Sequence, residues 1–313
     1  MRRMPNIDLF GVPVLGTIAF PLSYGLFSLA SLLYLLVRLR KGDLVETNEP
    51  LPAFFATLLS RNVIFEMHDF PQRYLFMHKL LFRRSRFVIV TNEWKRNKLE
   101  SQFGIPKEKL IMERNGVDVA QFAAQNRAAA RDTLGLPDDM TMVLYTGHLY
   151  GWKGVDTLAQ AATLLPESQI YIVGGTTHDL AQFKNRHIDV PNLHVVGHRP
   201  HAEMSLWQAA ADVLVLPNTA KEEISTHYTS PMKLFEYMAS ERPIVASDVP
   251  SIAEALPSDA GYFATPDDPV SFAEVIQQAL SDPQVAERTA RARAVALEHS
   301  WDARATRIMN RVA

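Results

Sequence analysis

The sequence predicts an α/β protein built on two parallel sheets that are covered by helices. Short apolar runs rich in Val, Ile and Leu alternate with longer helical segments, as expected when parallel strands are joined by crossover helices. The alternation restarts near residues 115–122, where the turn Asn115–Asp118 precedes an alanine-rich helix beginning near Gln125. With 313 residues, the chain is long enough for two domains of ordinary size.

In the first half, four short apolar runs are predicted as strands, because each is bounded by polar or turn residues. The segments between them have the length and the apolar spacing of helices. The predicted strands are Asp43–Thr47, Val63–Met67, Phe87–Thr91 and Leu110–Glu113, and the predicted helices are Leu22–Leu39, Ala53–Ser60, Gln72–Phe82 and Glu93–Gln102.

The second half repeats the pattern with six apolar runs and ends in an Ala/Arg-rich helix and a last helix after Trp301. The predicted strands are Met142–Tyr145, Gln169–Val173, Leu193–Val196, Val213–Pro217, Ile244–Ser247 and Gly261–Ala264. The predicted helices between them are Val155–Leu165, Met204–Ala211, a short helix through Glu236, Ile252–Leu256 and Pro269–Ser281.

Composition and charge exclude several classes of protein. The chain has no cysteine, so disulfides, thiolate metal sites and cysteine nucleophiles are excluded. Residues 1–114 carry a net charge of +7 and the remaining residues −9, which predicts that the first half meets an anionic surface or substrate. Nucleic acid is not the expected partner, because no helix-turn-helix, zinc-finger or RNP-type signature is present.

A long apolar segment runs from Leu9 to Val37 without a charged residue, and Arg38, Arg40 and Lys41 follow it. Its length would suffice for a membrane span, but its Pro and Gly residues divide it into a loop and a shorter helix. The favoured interpretation is a helix of the first domain with an exposed face that touches a membrane. A buried helix and a true span remain as alternatives.

The segment Ser230–Ala239, followed by the apolar run Ile244–Ser247, is the most informative part of the sequence. It predicts a short helix in which Glu236 is surrounded by apolar and aromatic residues, where an unpaired carboxylate would be unfavourable. A carboxylate can accept hydrogen bonds from two hydroxyl groups at once, so the two hydroxyls of a ribose are a suitable partner. A glutamate on the helix surface is the simpler alternative.

Three loops of the second half follow predicted strands or precede a helix, where open α/β sheets bind ligands. The loop Thr146–Gly154 is rich in glycine and contains Lys153, so it can approach a phosphate closely. The loop Gly197–Pro200 could present backbone groups to a base, and the N–H groups at 229–233 could face a second phosphate. Together with the carboxylate, these loops predict a site for a nucleoside diphosphate.

These segments, in this order and spacing, resemble the family 4 retaining glycosyltransferases, which have two facing Rossmann-like domains, the GT-B fold. The resemblance covers roughly 200 residues and implies a sugar nucleotide in the second domain and an acceptor in the first. It implies an acceptor domain over 1–115, a donor domain over 116–298 and a C-terminal helix over 299–313 that packs back on the first domain. The residues it assigns to the donor are Gly147, His148, Lys153, Gly197, His198, Arg199, Tyr228, Ser230, Met232, Lys233 and Glu236.

The sequence departs from the family pattern at several positions. Tyr228 stands where the family often has a glutamate that contacts the donor sugar, and His148 stands where it usually has an arginine. Glu241 replaces the glycine that usually ends the helix of Glu236, and a left-handed backbone would be strained there. Lys233 is expected to supply part of the missing positive charge.

In the first half, His68 follows the strand Val63–Met67, and the resemblance implies that it contacts the donor sugar or the acceptor. The catalytic residues implied are therefore His68, Lys153 and Glu236, with no metal and no cofactor beyond the sugar nucleotide. The first strand-loop-helix unit of such a domain has no counterpart in the sequence, so an incomplete first domain is expected.

The resulting prediction is a retaining glycosyltransferase of cell-surface polysaccharide synthesis, acting on a glycan or lipid-linked acceptor. It is expected in the cytoplasm, peripherally bound to an anionic membrane surface. The alternatives are a nucleotide-sugar epimerase of the same fold and a truncated module that binds a nucleotide sugar without transferring it.

Overall fold

The computed structural model describes residues 16–123 and 126–313, and only the backbone of residues 16–21. Its chain divides into two compact units, the first ending at Met112 and the second running from Glu113 to Ala313. The elements of the first unit are α1 (Gly16–Arg38), β1 (Val45–Thr47), α2 (Pro50–Leu59), β2 (Val63–Met67), α3 (Leu75–Arg84), β3 (Phe87–Val90), α4 (Glu93–Phe103) and β4 (Leu110–Met112).

The described part of the first unit contains one parallel sheet with the order β1-β2-β3-β4. Its central strands are apolar over almost their whole length, as parallel strands covered on both faces should be. One face of β2 and β3 packs with Leu81 and Phe82 of α3 and with Leu99 and Phe103 of α4. This packing fixes the carboxyl end of β2, where His68 follows.

The second unit has sixteen labelled elements among its described residues. In order they are α5 (Val119–Phe122), α6 (Arg127–Leu134), β5 (Thr141–Thr146), α7 (Val155–Ala162), β6 (Ser168–Val173), α8 (Thr177–Arg186), β7 (Leu193–Gly197), α9 (Met204–Ala210), β8 (Val213–Leu216), α10 (Met232–Ala239), β9 (Ile244–Ser247), α11 (Pro250–Ala253), β10 (Tyr262–Ala264), α12 (Pro269–Ser281), α13 (Val285–Glu298) and α14 (Trp301–Val312).

Its six strands form one parallel sheet with the order β10-β9-β8-β5-β6-β7. Alternate residues of β5 enter two separate cores: Met142 and Leu144 lie in one, Val143 and Tyr145 in the other. From β5 the chain proceeds through β6 and β7 to one side, and from β8 through β9 and β10 to the other. The order therefore reverses between β5 and β8, and at such a point the loops after neighbouring strands diverge and leave a crevice.

The C-terminal helix α14 forms polar contacts with the first residues of the second unit. Arg307 forms a bidentate pair with the carboxylate of Glu113, with distances of 2.8 to 3.1 Å, and Arg304 donates to the carbonyl oxygen of Arg114. A further parallel bridge joins Val117 to Ser300. These contacts hold the end of the chain against the start of the second unit.

The predicted fold class is confirmed, but several element boundaries differ. Helix α1 begins at Gly16 rather than at Leu22, because Pro21 removes only one backbone donor and the helix continues through it. Residues 9–15 of the apolar segment and Gln125 lie outside the described residues, and α6 begins at Arg127. Helix α8 and the π-helical turn Ile224–Tyr228 were not predicted.

The helices of the described residues include none that is both long enough and apolar enough to cross a membrane.

The position after α10 has the left-handed backbone that its sequence predicts to be strained. Glu241 has φ +57° and follows Ser240, whose N–H donates to the carbonyl oxygen of Glu236. The Glu241 carboxylate pairs with Arg293 of α13. A glutamate thus occupies a conformation in which glycine is favoured.

Candidate functional site

The loop that follows β5 is shaped by a glycine at its first position. Gly147 has φ +133°, and its N–H donates to the carbonyl oxygen of Val173 at the end of β6, at 2.8 Å. A Cβ atom at this position would collide with Nζ of Lys233. Only glycine both adopts this backbone and lets a lysine amine lie against it.

Two buried tyrosines hold this loop to the neighbouring elements. The hydroxyl of Tyr145 donates to the carbonyl oxygen of His148 at 2.6 Å. The hydroxyl of Tyr237, on α10, accepts from the N–H of Thr146 at 2.8 Å and lies 3.0 Å from its hydroxyl. Burial raises the pKa of both tyrosines, so both phenols stay protonated. These bonds bring the first turn of α10 against the end of β5.

Lys153 lies at the end of the short helical turn Gly151–Lys153, just before α7. Gly154 follows with φ +66°, and a Cβ there would collide with the carbonyl oxygen of Pro217, after β8. The loops after β5 and β8 are therefore in direct contact where the strand order reverses. Nζ of Lys153 lies 3.7 Å from the centre of the Trp152 ring, and burial lowers the pKa of Lys153 to about 8.

Lys233 lies in the first turn of α10, with Nζ 4.0 Å from the centre of the Tyr145 ring. This nitrogen is buried, and none of the described residues accepts a hydrogen bond from it. Burial is the largest cause that holds the pKa of Lys233 well below its usual range. Repulsion from Lys153 lowers it further, and Glu236 opposes the shift only in part. The two lysine amines thus converge here, and that of Lys233 has no hydrogen-bond acceptor among the described residues.

Glu236 points into the same region one turn further along α10. Its side chain is only 13% exposed, and Oε1 lies 3.1 Å from Nε2 of His201. Gln208 of α9 donates to the other carboxylate oxygen at 3.4 Å. The carboxylate is therefore oriented by two polar neighbours, and each oxygen keeps a lone pair that can accept from a ligand hydroxyl.

The remaining donor residues predicted in the second unit lie in the loops after β5 and β7 and on the approach to α10. Gly197 ends β7 with φ +90°, and His198 and Arg199 after it are exposed. The His148 ring is exposed and stacks on Tyr150, with ring centres 5.0 Å apart and planes inclined by 12°. Stacking holds His148 along the loop, so it is not a simple substitute for an arginine.

Three further predicted residues lie on the approach to α10. Tyr228 ends the π-helical turn, and the carbonyl oxygen of Ser230 accepts from the side chain of Asn115 at 2.9 Å. Met232, the first residue of α10, is half exposed. Pro231 provides no side-chain cap, so the first N–H groups of α10 remain available to an anion.

His68 belongs to the first unit and follows β2, as its sequence predicts. Its Nε2 lies 3.3 Å from a carboxylate oxygen of Glu66, and its side chain is 46% exposed. The carbonyl oxygen of His68 accepts from Nζ of the buried Lys95, which also donates to the hydroxyl of Thr91. A buried lysine thus fixes the backbone at His68 and leaves the imidazole accessible.

The structure brings Gly147, Lys153, Lys233 and Glu236 together at the reversal of strand order. Sequence reasoning missed the residues that position them: Tyr145, Tyr237, His201 and Gln208. A weak signal existed for two of these, since Tyr237 directly follows Glu236 and His201 directly follows the predicted base loop. Within the described parts of the chain, no three His, Asp or Glu residues are grouped so as to hold a metal ion.

Residues 141–282 match the family model described as glycosyl transferases group 1. The D-inositol 3-phosphate glycosyltransferase 1 of Catenulispora acidiphila is 28% identical over 220 residues, which are 65% of this chain and 50% of that protein. The chain thus spans about half the length of the curated relatives it matches.

Two solved structures are similar over nearly the whole chain. Sucrose-phosphate synthase from Thermosynechococcus elongatus has a TM-score of 0.73 at 22% identity, covering 97% of this chain and 80% of that one. Anabaena HepE in complex with UDP and glucose has a TM-score of 0.73 at 20% identity, covering 96% and 83%. Residues 141–282 therefore carry the group 1 glycosyl transferase signature, within a chain that has the GT-B fold.

Proposed function

We propose that this chain is a retaining glycosyltransferase that moves a sugar from a nucleoside-diphosphate sugar to a glycan or lipid-linked acceptor. The observation that carries the proposal is the convergence of Lys153 and Lys233 at the reversal of strand order, where the Lys233 amine has no hydrogen-bond acceptor among the described residues. Such a pair matches a diphosphate in charge and position. The group 1 match over residues 141–282 and the UDP bound by the similar HepE support the same conclusion.

Each group has a distinct part in this proposal. Lys153, Lys233 and the N–H groups at the start of α10 bind the diphosphate and stabilise the charge that develops on it as the sugar leaves. Glu236 accepts hydrogen bonds from the ribose hydroxyls, and the loop Gly197–Arg199 contacts the base. For His68 we propose the role that the family resemblance implies, contact with the donor sugar or the acceptor.

We infer that the reaction needs no divalent metal, because the two lysines supply positive charge where a metal would otherwise neutralise the diphosphate. Addition of a chelator during a transfer assay tests this directly. Unchanged turnover is expected. Loss of turnover that magnesium or manganese restores would contradict the inference.

The exposed face of α1 supports attachment to a membrane surface. Leucines at 22, 26, 29, 33 and 36 are exposed on this helix, whereas Ser28 and Ser31 are buried and donate to carbonyl oxygens one turn earlier. The helix thus presents its apolar side to the outside, the reverse of an ordinary surface helix. Arg38, Arg40 and Lys41 follow it, so we propose peripheral binding to an anionic cytoplasmic membrane surface, where a lipid-linked acceptor of cell-surface polysaccharide synthesis is carried.

Thermal unfolding in the presence of a panel of sugar nucleotides tests the proposal, because a ligand of the folded state raises the midpoint. Stabilisation by one nucleoside diphosphate and its sugars is expected. Release of that diphosphate in the presence of an acceptor would support transfer. Binding without release would favour the module that does not transfer, and conversion of the sugar without release would favour an epimerase.

A further inference from the structure

Nζ of Lys233 is buried, and among the described residues it has no hydrogen-bond acceptor. An ammonium carries three N–H donors and a full charge, and leaving these unmatched inside a protein is strongly unfavourable. An uncharged amine has fewer donors and no charge, so it tolerates the same position far better. The packing alone therefore favours the neutral amine in the protein without ligand.

The charged and titratable groups around this amine do not compensate for the cost of burying its charged form. Tyr145 of β5 faces it with its ring, and its hydroxyl is occupied by the carbonyl oxygen of His148. Glu236, on the same helix, has its carboxylate turned to His201 and Gln208. Lys153, from the turn before α7, is a like charge.

The pKa directions agree with this geometry. Burial, and after it repulsion from Lys153, holds the pKa of Lys233 well below its usual range, and burial lowers the pKa of Lys153 to about 8. Tyr237, the buried tyrosine beside Glu236, stays protonated because its pKa is raised. The geometry and these directions together point to an ammonium at Lys153 and to an amine at Lys233 that is ready to accept a proton.

We propose that Lys233 takes up a proton from solvent when a sugar nucleotide binds, so that the second ammonium facing the diphosphate forms only in the complex. This inference rests on the nucleotide-binding function proposed above. The neutral amine gains one solvent proton and becomes an ammonium, and no bond of the nucleotide is made or broken. The diphosphate oxygens provide the acceptors that the free protein lacks, and their negative charge offsets the repulsion from Lys153.

The sign of the pH dependence follows from this linkage. The ligand prefers the protonated lysines, so affinity is highest at low pH, where both amines are already charged. It falls as pH rises through the lowered pKa of Lys233, and the decrease steepens above the pKa of about 8 of Lys153. Uptake of about one proton per nucleotide corresponds to about a tenfold loss of affinity per pH unit.

Titration calorimetry in buffers that differ in ionisation enthalpy measures the uptake directly. ADP-glucose is a suitable probe because neither its diphosphate nor its adenine titrates in this range, with UDP-glucose and GDP-mannose as parallel arms at about pH 7.5. At about pH 7.5 we expect uptake of about one proton per molecule bound, rising at about pH 9 as Lys153 contributes.

Two variants separate the two lysines. Lys233→Met cannot be protonated, so uptake near neutral pH should disappear and affinity should fall about tenfold or more. Lys153→Met should keep most of the uptake near neutral pH and lose the increase at higher pH. Equal uptake in both variants and the unaltered protein would contradict the assignment to Lys233.

The outcomes distinguish a failure of this inference from a failure of the proposed nucleotide-binding function. Binding of a sugar nucleotide by the unaltered protein without proton uptake would overturn the inference and leave the proposed function standing. Failure of all three sugar nucleotides to bind would overturn both. Because the unaltered protein supplies this measurement, the test holds even where a variant fails to fold.

Discussion

The carboxylate of Glu236 lies within hydrogen-bond distance of His201, with Oε1 3.1 Å from Nε2, although the two residues are 35 positions apart. Gln208 approaches the other oxygen. The three residues come from the short turn that follows Pro200, from α9 and from α10, so the orientation of the carboxylate depends on the packing of all three. A positioned carboxylate with free lone pairs is the group that a ribose requires.

Replacement of Glu236 by Gln should weaken nucleotide binding much more than it weakens folding. The ribose hydroxyls would lose charge-assisted hydrogen bonds worth about 1.5–3 kcal/mol, a loss of roughly 10- to 150-fold in affinity. Calorimetric dissociation constants for UDP, ADP and GDP measure this. Glu274→Gln, on the exposed side of α12, is the matched control and should bind like the unaltered protein. An unaltered affinity in a folded Glu236→Gln protein would reject the ribose assignment.

Replacement of Gly147 by Ala should both destabilise the protein and reduce diphosphate binding. Its φ of +133° is unfavourable for alanine, a strain of about 1–3 kcal/mol, and the new Cβ would displace the amine of Lys233. Gly135→Ala is the control: it has φ +67° with nothing within 4 Å of its Cβ, so it should lose about 1 kcal/mol of stability and no affinity. Urea midpoints and nucleotide dissociation constants of the two variants should differ accordingly. The same affinity in both variants would show that Gly147 is needed for the backbone conformation and not for diphosphate binding.

The strands and the loops after them could be predicted because their signals are local. Val213–Leu216 and Ile244–Ser247 are apolar throughout, as buried parallel strands are, and glycines mark the ends of β5 and β7. Helix α8 escaped prediction because its sequence is mostly polar and only Phe183 is buried in it. Its capping box between Thr176 and Asp179 was the available signal.

The partners within the site could not be predicted because they join elements that are distant in the sequence. The bond between Tyr237 and Thr146 spans 91 residues, and nothing local to either residue indicates the other. The same holds for the burial of the Lys233 amine, which arises only when α10 docks beside Gly147. Sequence patterns therefore marked the loops and the helix that converge at the reversal of strand order better than the residues that hold them in place.

Replacement of Glu241 by Gly should stabilise the protein. Glycine adopts the same left-handed backbone without the cost of about 1–2 kcal/mol that a non-glycine residue bears there. The change also loses a partly exposed pair with Arg293 worth about 0–1 kcal/mol. A net gain of about 0.5–1 kcal/mol is expected, measured as a higher urea midpoint at an unchanged m value. Arg293→Ala, which removes the pair and keeps the backbone strain, should be slightly destabilising. If Glu241→Gly lost more stability than Arg293→Ala, the backbone argument would fail.

The exposed leucines of α1 should govern membrane binding. Replacing Leu29 and Leu33 by Gln leaves the buried Ser28 and Ser31 in place and removes apolar contact with lipid, at about 1.5 kcal/mol or roughly tenfold per residue. Leu297→Gln, an equally exposed leucine of α13, is the control and should have no effect.

The measurement is co-sedimentation with vesicles of phosphatidylcholine containing phosphatidylserine, and binding should also fall as salt screens Arg38, Arg40 and Lys41. A protein that never sediments with these vesicles, or that binds equally without the anionic lipid, would contradict peripheral attachment. Retention through both salt and carbonate washes would instead indicate insertion across the bilayer.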